Sequence, residues 1–490
     1  MSSIPKSTKI LVIGGGPGGS TAATLLAREG FEVTLLEQAH FPRYHIGESL
    51  LPSMLEILDL LGVREKLEAH GFVRKEGAYL EWGPERWALN FGEMSGNLTY
   101  SFQVVRSEFD QLLLEHARSQ GALAFEGVEV RSLSFDGPRP VSAHWVRKVD
   151  NGDPAGEGDI AFDYLIDASG RWSLMSTRYL RNRHYHKIFQ NVGIWGYWKG
   201  ADRMATGRDG DIAVSSIPNG WLWGIPLHDG TMSVGVVMHK ETVTAKKPVD
   251  VEAIYAQAIQ DSPLITDILR DAELVSPVQS EMDYSYASEN FCGPGYFMVG
   301  DAAAFLDPLL SSGVHLATFS AMLAAASLTS FYHGEVSEAE MQSFFEKSYR
   351  QAYLRFLVFL SAFYDVGRTK ETYFWEAQRV TQEEVSTSEL KRAFLKLVTG
   401  LKDLSDASNE DTRHYVLEEM TRRVDENLKF RRDKMKLASL QGEEQQARQA
   451  NARFFSSVEG MFSLNQEDAV EGLYVQTRPN LKLARVKTVA

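Results

Sequence analysis

Lys9-Ile10-Leu11-Val12-Ile13-Gly14-Gly15-Gly16-Pro17-Gly18-Gly19 is the stretch that decides the fold. Its first five residues form a short apolar, β-branched run of the kind a buried parallel strand shows. Gly14, Gly16 and Gly19 then satisfy G-x-G-x-x-G, with Pro17 inside the loop. Glycines are needed where the chain turns tightly and its backbone must approach a pyrophosphate. The Ala- and Leu-rich run from Ser20 to Arg28 reads as the helix that follows, its N–H groups and positive dipole end offered to phosphate. A second strand, Phe31 to Leu36, ends at Glu37, 18 residues beyond Gly19. A carboxylate at that position accepts hydrogen bonds from a ribose hydroxyl. Strand, loop, helix, strand and acid in this order predict a dinucleotide site on Gly14, Gly16, Pro17, Gly19 and Glu37.

Further stretches select FAD as the dinucleotide. Phe41-Pro42-Arg43 and Gly47-Glu48-Ser49 follow the acid, and bring an arginine and small residues towards the cofactor, which assigns Arg43 and Ser49 to its site. Gln103 to Leu112 resembles the segment in which class A flavin monooxygenases place an arginine beside the flavin, here Arg106. Met298 to Pro308 resembles the second FAD motif of that group. The resemblance implies Asp301 on the ribityl chain or ribose, Pro308 at the cofactor, and a helix N-terminus aimed at the flavin. Asp167-Ala168-Ser169-Gly170 is similar to the short return into the FAD sheet. Motifs scattered in this way imply an α/β protein with a split Rossmann-type FAD domain, like that of para-hydroxybenzoate hydroxylase.

Composition narrows the function classes. The chain has 490 residues, 44% hydrophobic and 24% charged, enough to bury a large core and fill two or three domains. A net charge of −14 argues against nucleic acid as the main partner, because phosphate neutralisation needs clustered cations. Cys292 is the single cysteine, which excludes an internal disulfide and a multi-cysteine metal or iron–sulfur site, so no metal is expected. No run approaches 18 uninterrupted apolar residues, so no membrane span is expected. Met1 to Ile10 runs straight into a strand without a signal-peptide pattern, and the expected location is the cytoplasm.

Two more motifs name the chemistry. Trp221-Leu222-Trp223-Gly224-Ile225-Pro226 matches W-x-W-x-I-P, and Phe305 to Gly313 matches F-x-x-P-x-x-S-x-G. With Gly14 to Gly19, these are signatures of the flavin-dependent halogenases, and the sequence resembles that family from its N-terminus to about residue 375. The resemblance implies use of FAD as FADH2, of O2 and of chloride or bromide. It implies a separate NAD(P)H-dependent flavin reductase, consistent with the single dinucleotide motif in this chain. Trp221 and Trp223 alternate on a strand and so share a face. In the family such a wall stands beside the flavin and keeps organic substrate off it. Ser312 and Gly313 open a helix and imply an anion site for halide; a plain serine cap would look the same in sequence. By position, Lys75 in Gly71 to Gly77 is the lysine that carries hypohalous acid to the substrate, and it acts best if burial lowers its pKa.

The position before the serines, where tryptophan halogenases carry a glutamate, is Leu310. An activated ring such as a phenol dispenses with that carboxylate, because its own heteroatom stabilises the cationic intermediate. Together with Phe41 to Pro52, Gly71 to Gly83 and Phe363-Tyr364-Asp365, this implies a phenolic, tyrosyl-like substrate, free or tethered to an acyl or peptidyl carrier protein. It leaves the general base unassigned. The rival readings are an aromatic hydroxylase of the same fold and a geranylgeranyl reductase-like enzyme.

The expected organisation alternates between layers: FAD-binding segments at 1–110, 161–180 and 287–335, a sheet segment at 111–160, a substrate-binding sheet domain at 181–286 and a helical part at 336–490. Strands are expected at Val192 to Trp198, Ile212 to Ile217, Trp221 to Pro226 and Met232 to Met238, and a polar loop at Val149 to Asp159. Ser337-Glu338-Ala339-Glu340 reads as a helix start. Glu418 to Gln449 reads as a long polar helix whose basic run, Lys429 to Lys436, is either a solvated face or a dock for an acidic carrier.

Overall fold

Ile10, Leu11 and Val12 are wholly buried, as are Leu165 and Ile166 on the strand beside them, and this pair of apolar runs is the centre of the first sheet. In the computed structural model the described residues are 3–82, 85–91, 100–148, 154–202, 208–245, 248–366 and 469–486. Ser7–Ile13 pairs in parallel with Val33–Leu36 on one side and with Pro154–Asp167 on the other. Leu123–Phe125 and Tyr296–Met298 extend the parallel run outwards. The sheet therefore gathers strands from positions far apart in the chain, as a split FAD domain requires. Pro17–Arg28 covers it and meets the helix Gly313–Tyr332 so closely that a Cβ on Gly18 would lie 3.2 Å from the Ala317 carbonyl oxygen.

The second sheet runs in the order Ala304–Phe305, Gln279–Ser288, Arg183–Lys199, Thr231–His239, Gly220–Pro226, Ile212–Ile217, Gly77–Trp82, Glu85–Asn90, with Glu273–Leu274 at its side. Along Gly220–Pro226 the faces alternate. Trp221, Trp223 and Ile225 join the core shared with the FAD sheet, whereas Leu222 joins a separate core with Tyr255, Ala258, Ile265 and Ile268.

Several expectations are corrected. Residues 1–110 do not all serve the FAD sheet: Gly77–Trp82 and Glu85–Asn90 belong to the second one, because Ala78 and Leu80 pair with Ile212 and Val214. The polar segment at Val149 to Asp159 is not all loop. Pro154 onward is the start of one long strand that pairs with Arg139–Lys148 in an antiparallel ribbon, where polar side chains face water. The C-terminal part is not wholly helical. Glu338–Val366 is a long helix opened by Ser337, whose N–H and hydroxyl both meet Glu340 at 2.8 Å, a capping box. Leu473–Gln476 and Lys482–Arg485 form a hairpin instead, its Leu473, Val475, Leu481 and Leu483 buried. Gly313–Tyr332 is long and apolar enough to cross a membrane, but 89% of its most apolar window is buried inside the protein. The segments Glu418 to Gln449 and Lys429 to Lys436 lie outside the described residues.

Candidate active site

The glycine loop is built by exclusion of side chains. Gly14 has φ +103°, and a Cβ there would lie 2.3 Å from the Ala168 carbonyl oxygen; at Gly19 it would lie 1.9 Å from that of Gly14. Loop, return segment and helix start thus close on one another. Pro17 stands in the first turn after Gly16, and no side chain caps that helix. Glu37 is buried at the strand end, accepting from the Gly15 N–H at 2.6 Å and the Ala39 N–H at 2.8 Å. The Arg43 guanidinium lies over Gly16, 3.3 Å from where a Cβ would stand. An uncapped helix N-terminus, a cation above it and a fixed acid beside it fit the pyrophosphate and ribose of a dinucleotide.

Arg106 is tied into this frame by a buried acid. Asp110, fully buried, accepts from Arg106 Nε at 2.8 Å and Nη2 at 3.0 Å, and stands 3.5 Å from Arg43 Nη2. The other arm of Arg106 donates to the Ile46 carbonyl at 2.9 Å, and so holds the loop that carries Gly47, Glu48 and Ser49. Asp301 also stands in the field of Arg106, with Arg171 and Arg183; burial outweighs their pull and pushes its carboxyl up to about 6.

Lys75 and Ser49, assigned separate roles in the sequence, meet in the structure. Lys75 ends the strand Val73–Lys75, which pairs with Ser101–Gln103. The residue is 3% exposed, and its Nζ donates to Ser49 Oγ at 2.8 Å and to the Leu50 carbonyl at 3.1 Å. Burial pushes its pKa down to about 7, against the pull of the buried Asp211, which is itself paired with Arg208. Asp211 reaches this strand because Gly210 has no side chain: a Cβ there would lie 1.7 Å from the Arg74 carbonyl oxygen.

Trp221 and Trp223 are buried on one face with ring centroids 5.9 Å apart. The second indole lies across Gly235, where a Cβ would come within 2.1 Å of it. Its Nε1 donates to Ser233 Oγ at 3.2 Å, and Ser233 stands 3.5 Å from Glu48 Oε2. Glu48 was not expected to be more than a neighbour of Ser49. It is buried and ends a chain of hydroxyls: Trp195 Nε1 donates to Tyr44 at 2.6 Å, Tyr44 and Tyr197 hydroxyls are 3.0 Å apart, and Tyr197 donates to Glu48 at 2.7 Å. Burial raises the Glu48 carboxyl above its usual range. Glu48→Gln keeps an acceptor for the Tyr197 hydroxyl and is expected to leave stability near that of the parent. Glu48→Ala removes the buried acceptor of the Tyr197 hydroxyl, leaving it only Tyr44, and is expected to cost about 1–3 kcal/mol in denaturant unfolding.

After Asp301 the chain makes a short turn before its long helix. Asp307 Oδ1 accepts from the Leu309 N–H at 3.0 Å, beginning a short 3₁₀ turn at the exposed Pro308. Ser311 is left-handed (φ 54°) and Ser312 right-handed (φ −84°), and Gly313 starts the long helix. Successive residues of opposite hand turn their N–H groups into a concave anion nest. Ser312 is buried and its side chain makes no cap hydrogen bond, so the plain serine-cap reading does not hold. Leu310 is partly buried against the core. His315 reaches Ser53 Oγ at 3.0 Å and is packed by Phe319 and Phe356, as a structural histidine is.

Asp110, Glu48, Tyr197 and Asp211 are the site residues that sequence reasoning missed. Only Asp110 carried a local signal, four residues after Arg106 on one helix.

An FAD-binding α/β fold that carries a buried lysine and a buried tryptophan pair has close counterparts. The family described as tryptophan halogenase matches residues 9–98 and 93–410. A tryptophan 2-halogenase of Chondromyces crocatus is 47% identical over 505 residues, covering 98% of this chain and 95% of that protein. A flavin-dependent halogenase of Armillaria mellea is 38% identical, covering 84% and 81%. Among solved structures, the FAD-dependent myxobacterial chondrochloren halogenase superposes with a TM-score of 0.73 at 34% identity, covering 85% of this chain and 97% of that one. The chain belongs to the tryptophan halogenase family. It is a flavin-dependent halogenase, using FADH2, O2 and halide.

Proposed function

We propose that this halogenase acts on an electron-rich phenolic ring, free or carried on an acyl or peptidyl carrier protein, and receives reduced FAD from a separate NAD(P)H-dependent flavin reductase. The observation that supports the phenolic reading is Leu310: an apolar side chain stands before the serine pair, where an indole halogenase carries its carboxylate. A phenol supplies the missing stabilisation itself.

When bound, reduced FAD supplies the electrons that let O2 convert halide to hypohalous acid. Glu37, Arg43 and the glycine loop hold the dinucleotide, and Arg106, braced by Asp110, sets the 46–49 loop against it. The Ser312 and Gly313 N–H groups hold halide, and Trp221 and Trp223 keep the ring of the substrate away from the cofactor. Lys75 Nζ then presents the electrophilic halogen to the ring. Ser49 and the Leu50 carbonyl orient that nitrogen, and burial keeps its lone pair available near neutral pH.

A second reading has its own support. The relative at 47% identity is named a tryptophan 2-halogenase, which favours an indole. Competition between tryptophan and simple phenols, with products separated by mass, decides between the two. Preferred chlorination of the indole overturns the phenolic proposal.

The same lysine gives a pH dependence. Below about 7 the amine becomes an ammonium without a lone pair, so halogen transfer is expected to fall as pH drops through about 7. Flavin oxidation followed in the same samples is expected not to share that limb. In the unfolded chain the lysine holds its proton up to its ordinary 10.5, so its contribution to stability rises with pH between about 7 and 10.5.

A further inference from the structure

Away from the lysine, three side chains from three separate elements converge. His70 ends the helix Arg64–His70, Glu108 lies in the first turn of Arg106–Ser119, and His228 lies in the turn between Gly220–Pro226 and Thr231–His239. Glu108 Oε2 stands 2.6 Å from His70 Nε2 and 3.1 Å from His228 Nε2. All three ligand atoms fall within 4.8 Å of one another. Phe72 packs against both imidazoles, at 4.3 Å and 5.1 Å between ring centroids.

We propose that His70, Glu108 and His228 form a binding site for a divalent transition-metal ion, zinc in the first place. Two imidazoles and a carboxylate are the donor set zinc takes when it keeps a water in the fourth position. Ligand atoms on a tetrahedral zinc stand about 3.3 Å apart, given bonds of about 2.0–2.1 Å. The Glu108–His228 spacing of 3.1 Å is already near that value, the Glu108–His70 spacing of 2.6 Å must open, and the nitrogen–nitrogen spacing lies within 4.8 Å, all within reach of side-chain rotation. The side chains are 34%, 37% and 19% exposed, so an ion can enter and hold a water. The buried Nδ1 of His228 leaves Nε2 as the nitrogen that faces the site. Calcium and magnesium are disfavoured, since they prefer oxygen donors. The metal takes the two Nε2 lone pairs, so the imidazoles would bind as the tautomers protonated at Nδ1 and give up their hydrogen bonds to Glu108.

The position of the site gives it a structural consequence. His70 lies five residues before Lys75, Glu108 two residues after Arg106, and His228 two residues after the tryptophan strand. A bound ion would fasten together the three segments that carry the lysine, the arginine and the indole wall, acting as a clamp between the two sheets.

The test uses the full chain with FAD, stripped by chelator and titrated with Zn2+ alone by calorimetry. Saturable binding of one equivalent is expected, with a raised melting temperature. His70→Ala and His228→Ala are each expected to weaken binding roughly tenfold or more, about 1.4 kcal/mol, while His144→Ala, at another histidine–carboxylate contact, changes nothing. The Cu2+-loaded protein is expected to show two imidazole nitrogens by electron paramagnetic resonance. Should either ligand variant fail to fold, Zn2+ protection of His70 and His228 from carbethoxylation in the parent protein, mapped by peptide mass, decides the matter. Absence of saturable binding, binding unchanged in the His70→Ala/His228→Ala double variant, or unprotected histidines would each overturn the site.

Discussion

Lys75→Ala is expected to lower formation of halogenated product roughly 10²- to 10⁴-fold, the range set by losing one positioned proton-transfer or nucleophilic group. Flavin binding and oxygen consumption are expected to persist, because the glycine loop, Glu37 and Arg43 make no contact with the amine. The expectation follows from geometry. The Lys75 nitrogen is held by Ser49 Oγ and the Leu50 carbonyl in a buried site, and burial lowers its pKa to about 7. Lys75→Arg separates charge from chemistry. A guanidinium stays protonated at any working pH, so it restores positive charge without a lone pair, and it is expected to remain inactive. Oxygen uptake, flavin oxidation and product mass measured together distinguish loss of halogen transfer from loss of the cofactor. Product formation by Lys75→Ala at the parent rate, with the same position substituted, would remove the lysine from the mechanism.

Gly19→Ala carries the second large effect. The new methyl would stand 1.9 Å from the Gly14 carbonyl oxygen and 3.3 Å from Ala168 Cβ. Neither neighbour is a flexible side-chain end. Relief requires the helix Pro17–Arg28 to withdraw from the strand Ser7–Ile13, which opens the turn proposed to hold the pyrophosphate. FAD affinity is expected to fall at least about 100-fold, equivalent to about 2.7 kcal/mol. Equilibrium titration followed by flavin fluorescence measures it. Gly30→Ala is the control, since nothing lies within 4 Å of a Cβ at that position, although its φ of +87° adds local strain. Its FAD affinity is expected to match the parent.

Much of the frame was legible because its signals are local. The glycine loop, the acid after the second strand and the helix start at Ser337 each depend on a few consecutive residues. The strand at Ile212–Ile217 coincides with its expected span, and the alternation of Trp221 and Trp223 follows from a period of two. What escaped the sequence depends on pairing across the chain. Lys75 and Ser49 are 26 residues apart, and Tyr197 and Glu48 are 149 apart. No period records that these side chains will meet. Gly77–Trp82 looked like part of the first domain because neighbours in sequence were FAD residues, yet it crosses to the second sheet to pair with Ile212–Ile217. The hairpin at Leu473–Gln476 and Lys482–Arg485 was hidden for another reason: its alternation is short and follows a long charged, helix-like run.

Product mass tests the central claim most directly. The protein is supplied with FAD, a flavin reductase, NADH, O2 and either chloride or bromide, and offered an electron-rich phenol beside tryptophan. The account predicts a phenol that gains one halogen, changes mass when chloride is replaced by bromide, and forms only when protein and reductase are both present. A hydroxylated product that forms equally without halide would contradict it.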